Sequence, residues 1–135
     1  MNDNAHKKRK TFKVLKEELG CSQPYLNRGK CEARGNGVNK EFPLPVIEIN
    51  KKYYLTDGHT RAFFLASNEV EVYLDEDIIE SKDDFAAYSV FVRWTLAAGV
   101  FNVFDLANRI IEEKQFKDKW IKRCERHYQS LKSKD

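Results

Sequence analysis

From Tyr53 to Leu65 the chain reads Tyr-Tyr-Leu-Thr-Asp-Gly-His-Thr-Arg-Ala-Phe-Phe-Leu, and its physical character changes twice within that stretch. Tyr53, Tyr54 and Leu55 favour a strand and Gly58 permits a tight turn. Ala62, Phe63, Leu65 and Ala66 then suit the buried face of a helix starting near Thr60. Such a helix aims the amide hydrogens of His59, Thr60 and Arg61 at one point, with the positive end of its dipole behind them and the Arg61 guanidinium beside them. The pattern therefore predicts an anion site, and a phosphate suits it best. The competing reading is an ordinary strand-to-helix turn, in which Asp57 caps the helix and Arg61 pairs with a surface carboxylate.

The flanking sequence supplies a sheet for this turn. Phe42-Pro43-Leu44-Pro45 is extended, because a residue before proline is pushed out of the helical region. Val46 to Ile49 alternates as a strand, and Asn50-Lys51-Lys52 turns it back into Tyr53 to Thr56 as a hairpin. Upstream, Thr11 to Leu19 reads as a strand or a short helix. Gly20 and Pro24 bracket a turn, Tyr25, Leu26 and Cys31 seat a short helix, and Gly35-Asn36-Gly37 marks the flexible loop. Downstream, Val70 and Val72, with Leu74 or Tyr73, form another strand. The acidic run Asp75-Glu76-Asp77 has the oxygen chemistry for a divalent cation, although an exposed strand end is the commoner cause of such a run.

From Lys82 the pattern is helical to the end. Ser81 or Asp83 caps a helix in which Phe85, Tyr88, Val92, Thr95 and Leu96 recur at three- and four-residue steps until Gly99. A second helix is expected near Asp105, with Leu106, Ile110 and Ile111 inward. The last carries Phe116, Trp120, Cys124 and Tyr128 as a core stripe, with Ile121 beside it.

Asp57-Gly58-His59-Thr60-Arg61-Ala62 resembles the signature turn of the ParB/sulfiredoxin-like fold, and a weaker likeness extends over roughly residues 12 to 79. The resemblance implies an α/β (α+β) domain over residues 11–80, built on a small mixed sheet with helices. A basic, disordered N-terminus (1–10) would precede it, and a helical segment (81–135) would follow and pack on it or on a partner. It further implies that Gly58, His59, Thr60 and Arg61 bind the phosphates of ATP, ADP or CTP, with Mg2+ as a possible companion. The free serine kinases of this fold have an Asp-Gly-His-His-Arg turn, so Asp57, Gly58, His59 and Arg61 match while Thr60 replaces the second His. On that likeness Asp57 and His59 are the catalytic candidates, with Asp57 near the acceptor hydroxyl of a small metabolite such as serine. The same kinases use a Glu that aligns here with Gln23, and an amide is no general base; Glu17, Glu18 or Glu32 would stand in under a shifted alignment. Sulfiredoxin chemistry is disfavoured, because that turn carries a nucleophilic Cys and this one has no sulfur. ParB partition proteins bind a cytidine nucleotide and DNA, but their arginine-rich signature and a helix-turn-helix are missing. The basic residues Lys119, Lys122, Arg123 and Arg126 are interrupted by Asp118 and Glu125. The alternative function is a non-catalytic, nucleotide-responsive regulatory module whose C-terminal helices dock a protein partner.

Composition narrows the classes. A chain of 135 residues suits one domain, and a net charge of +3 demands neither nucleic acid nor membrane. Cys21, Cys31 and Cys124 are odd in number and widely spaced, which predicts free thiols and a cytoplasmic location. Cys124 and His127 are the single closely spaced ligand pair, too few for a structural zinc site, so no metal ligands are assigned. No apolar run approaches the ~20 residues of a membrane span.

Overall fold

The computed structural model describes residues 9–34 and 43–132. Lys7, Lys8 and the Gly35-Asn36-Gly37 loop lie outside the described residues. The chain is mixed α/β, with two sheets among the described residues.

The hairpin forms where the alternation places it. Strands β1 (Phe12–Leu15), β2 (Leu26–Asn27), β3 (Leu44–Ile49) and β4 (Lys52–Leu55) precede the Asp57 turn, and β3 and β4 pair antiparallel with Val46 opposite Leu55. Their connection, Asn50-Lys51, has φ of 52° and 67°, the double left-handed pattern that matches strand twist in a two-residue hairpin. Helix α1 (Arg28–Arg34) follows β2, and α2 (His59–Phe64) follows the turn, one residue earlier than its sequence suggested. β5 (Glu69–Leu74) returns parallel to β3, and β1 adds antiparallel to β5, giving the order β1-β5-β3-β4. The Thr11 to Leu19 ambiguity resolves as both kinds of structure: a strand, then a 3-10 turn over Lys16–Glu18.

The period of two in the strands creates two buried faces. Val14, Val46, Leu55, Val70 and Val72 meet Ala62 of α2, together with Val100, Val103 and Leu106. On the opposite face Ile47 and Tyr54 meet Val92, which belongs to helix α4 (Lys82–Ala97), itself preceded by α3 (Glu76–Glu80). The acidic run is therefore a helix start: Asp75 Oδ1 accepts the Ile78 amide at 3.3 Å, and Glu76 and Asp77 fill the first turn. Of the two candidate caps for α4, Ser81 serves, its Oγ accepting from Asp84 N. Gly99 ends α4 at φ 90°, with Gly99 N donating to Leu96 O and Val100 N to Thr95 O, the paired bonds of a Schellman stop.

Two expectations fail in the C-terminal third. The predicted helix near Asp105 is instead a 3-10 segment, Val103–Asn108, closed by a capping box between Asn102 and Asp105. Ile110 and Ile111 then form β6, parallel to Leu26 and Asn27 of β2, because a β-branched pair fits an extended ladder better than a helix turn. That pairing also takes Leu26 into a strand, so the short helix expected from Tyr25, Leu26 and Cys31 starts later, at Arg28, and keeps Cys31. The last helical run consists of α5 (Glu113–Phe116), a wider π turn (Lys117–Ile121) and α6 (Lys122–Lys132). Residues four apart on an α-helix drift by about 40° per step, and the π turn takes back part of that drift. Phe116, Trp120, Cys124, Tyr128 and Leu131 thus all reach one cluster with Ala87 and Phe91 of α4. Helix α4 therefore carries two apolar faces, one on the sheet and one on α6.

Candidate functional site

The Asp57 turn is held in place from both sides. Gly58 is left-handed (φ 79°), and a Cβ there would come within 2.8 Å of the Leu44 Cδ2 methyl, so the turn requires glycine for conformation and for space. Asp57 is exposed, and its Oδ1 accepts the Gly58 amide at 2.8 Å. The cap of α2 is Gly58, with no side-chain capping bond, so Asp57 does not cap the helix as the alternative reading held. The first bond of the ladder runs from Ala62 N to Gly58 O at 2.9 Å, which leaves the amides of His59, Thr60 and Arg61 ahead of it. A six-residue helix carries little macrodipole, so charge at this point must come from side chains.

His59 is buried, and its Nε2 accepts the Ser22 amide at 3.0 Å. That bond requires an unprotonated Nε2, and burial pushes the imidazole down to about 4, the nearby Lys30 adding to the shift and Asp57 opposing it. Of the two catalytic candidates, His59 thus ties the turn to the Gly20–Ser22 segment, while Asp57 stands at the surface. Gly20 is in turn wedged against β4: its amide donates to Tyr53 O, Leu55 N donates back to Gly20 O, and a Cβ would meet the Tyr54 ring at 2.3 Å. At the far end of α2, the buried Lys16 Nζ donates to Leu65 O and, at 3.4 Å, to Phe63 O. Both ends of the helix are fixed by residues from the first quarter of the chain.

A cleft of 580 Å³ opens in front of the turn, within the range of small-molecule sites. Asp57, Gly58, His59, Thr60 and Arg61 form one wall, so all five predicted site residues share it. Gln23, Asn27 and Lys30 come from the segment before and within α1, Leu44 and Pro45 from β3, and Phe116 from α5. Lys30 is exposed and has no carboxylate partner among the described residues. Glu17 and Glu18 line a separate hollow beside Lys51 and Lys52, and Glu32 does not line the cleft; Gln23 does. Sequence reasoning missed Asn27, Lys30 and Phe116. Asn27 carried a legible signal, an Asn just before a helix, and its Oδ1 does accept Gly29 N at 2.8 Å. Nothing local marks Lys30 or Phe116.

The described residues contain no cluster of three or more His, Cys, Asp or Glu side chains placed to hold a metal ion, and no helix among them is long and apolar enough to cross a membrane. Comparison of the chain with protein-family models, curated proteins and solved structures finds no match.

Proposed function

We propose that this chain is a ParB/sulfiredoxin-like domain whose cleft binds the phosphate groups of a nucleotide. The observation that carries the reading is the convergence of three kinds of anion-binding group on one cleft: the Lys30 ammonium, the Arg61 guanidinium, and backbone amides held ahead of the α2 ladder. Charge-assisted hydrogen bonds to phosphate are about twice as strong as neutral ones. ATP, ADP or CTP fits the reading, and a magnesium ion carried on the phosphates fits as well, since Mg2+ keeps most of its waters and needs one or two carboxylates. Asp57 is the carboxylate that lines the cleft among the described residues.

That same carboxylate favours a second reading, transfer of a phosphoryl group to a small hydroxylated acceptor such as serine, with Asp57 orienting the hydroxyl. Gln23 argues against it, because the place aligned with the kinases' Glu holds an amide. A binding module that responds to the nucleotide without catalysis needs no base.

Thermal denaturation with a panel of nucleotides, with and without magnesium, tests binding. A ligand present at 100 times its Kd stabilises the fold by about 2.7 kcal/mol. Arg61→Ala should weaken binding by about 1.5 to 3 kcal/mol while the apo protein stays folded. Equal affinity in wild type and Arg61→Ala removes Arg61 from the site. Phosphate transfer to serine, measured for wild type, Asp57→Asn and Gln23→Glu, separates the two readings. Turnover that falls on the order of 100-fold in Asp57→Asn supports catalysis; binding without transfer by any of the three supports the regulatory module.

A further inference from the structure

The boundary between α4 and α6 holds a second hollow, of 370 Å³, at the small end of ligand sites. It shares no lining residue with the cleft before the Asp57 turn. We propose that it binds a small organic cation, an amine carried on an aromatic or aliphatic body. Ile78 of α3 with Ala87 and Phe91 of α4 make its wall apolar, and Tyr88 and Tyr128 add two phenol rings. From Asp84 to Phe91 the hollow follows α4 for about two turns, or about 10 Å, which is room for one such molecule. Two carboxylates, Asp84 and Glu125, also line it.

Charge decides the class of ligand. None of the described residues that line the hollow is a cation, and neither carboxylate has a cationic partner among the described residues. Asp84 Oδ1 accepts the Tyr128 hydroxyl at 2.7 Å, which holds the carboxylate in place and leaves Oδ2 for a ligand. Tyr88 is half-buried, and its hydroxyl has no hydrogen-bond partner among the described residues. Burial first, then Asp57, Asp75, Cys124 and Asp84, push its phenol up to about 12, so carboxylates set a negative field on this side of α4. A neutral apolar molecule would strip water from Asp84 with nothing in exchange, and an anion would be repelled. An ammonium group gives Asp84 a charge-assisted hydrogen bond while its body covers Ile78 and Phe91. Lys132 Nζ already stands 4.8 Å from the Tyr128 ring centroid, a contact in which this ring takes an ammonium group on its face. Cys124 is pushed up to about 12, by burial first, so it supplies no thiolate and the binding is non-covalent.

Amide NMR titration of the full chain with phenethylamine, phenethyl alcohol and phenylacetate at pH 7 tests the site, because the three share a ring and a two-carbon arm and differ in the charge at its end. Phenethylamine should shift the amides of residues 84–91 and 124–129 and bind about tenfold or more tighter than the alcohol, while phenylacetate leaves those amides unmoved. Asp84→Asn keeps an acceptor for the Tyr128 hydroxyl and loses the charge, so it should weaken the amine about fivefold without moving the melting temperature. Glu125 is exposed, and Glu125→Gln should weaken the amine only about twofold. Equal affinity for amine and alcohol overturns the proposal, as does an amine preference that survives Asp84→Asn. Shifts confined to other parts of the chain, or no shift with any probe, overturn it as well. None of these outcomes bears on the phosphate reading, whose residues lie in the other cleft.

Discussion

Replacing Gly58 by alanine probes the turn with a magnitude that the structure sets. An L-residue at φ 79° costs about 1 to 2 kcal/mol. The new Cβ would lie 2.8 Å from Leu44 Cδ2, and Leu44 is itself 2% exposed, so the methyl has no room to retreat. Overpacking of this kind costs about 1 to 3 kcal/mol, while the lower entropy of the unfolded alanine chain returns about 0.4 to 1 kcal/mol. Gly58→Ala should therefore destabilise by about 1 to 4.5 kcal/mol. Gly99 provides the control, because its φ is 90° and nothing lies within 4 Å of its added Cβ. Gly99→Ala bears the conformational cost alone, about 1 kcal/mol after the unfolded-state term. Urea unfolding followed by tryptophan fluorescence, with the buried Trp120 as reporter, measures both. If Gly58→Ala costs no more than Gly99→Ala, the close approach of Leu44 to the turn is wrong, and so is the shape of the cleft wall.

His59 should make stability depend on acid. Its folded value of about 4 lies below the ordinary 6.5, so between those values the unfolded chain takes up a proton that the folded chain refuses. Stability contributed by the neutral imidazole is complete above pH 6.5 and declines as pH falls to 4, by up to about 3 kcal/mol. His59→Gln retains an acceptor for Ser22 N without the titration, so urea midpoints at pH 4.5 and 7 should converge relative to wild type; parallel curves would remove His59 as the cause. Trp120, 3% exposed and edge-on to Phe91 and Trp94, anchors the packing of the last helical run on α4. Trp120→Ala should cost about 3 to 5 kcal/mol, and an unchanged melting temperature with lost nucleotide binding would make the ring a ligand contact instead.

The parts of this fold that were legible in the sequence are those encoded within about ten residues. The β3–β4 hairpin follows from alternation around Asn50-Lys51, the turn from Gly58, and the α4 boundaries from Ser81 and Gly99. All five predicted site residues line one cleft because they are consecutive and belong to one strand-turn-helix. The failures are non-local. Ile110 and Ile111 read as a helix face because their strand partners, Leu26 and Asn27, are more than eighty residues away. Phe91 and Trp94 were missed as core because a single helical period describes one face, and α4 buries two. Asp75 was read as an exposed strand end, although an Asp followed by two acids is also a helix-start signal.

The division of the chain at residue 80 also looks different once the cleft is in view. Phe116 lies among its lining residues, so the helical segment contributes to the cleft wall as well as covering the sheet. The cleft's binding groups then fall into two energetic classes. The turn amides, Asn27 and Gln23 are fixed by bonds that folding itself makes, and a ligand that uses them loses little entropy on their account. Lys30 is a long, exposed side chain that, on the proposed reading, would have to be ordered to hold a phosphate, at about 0.5 to 1.5 kcal/mol for a flexible side chain. Its attraction is also screened by salt, over a Debye length of about 8 Å at physiological ionic strength. Discrimination among ligands should therefore come from the fixed groups and survive in salt, whereas the contribution of Lys30 fades as ionic strength rises. The rigidity of the fold is concentrated in the turn and in the segment from Gly20 to Asn27, so on the proposed reading these are the groups whose replacement should change which ligand binds.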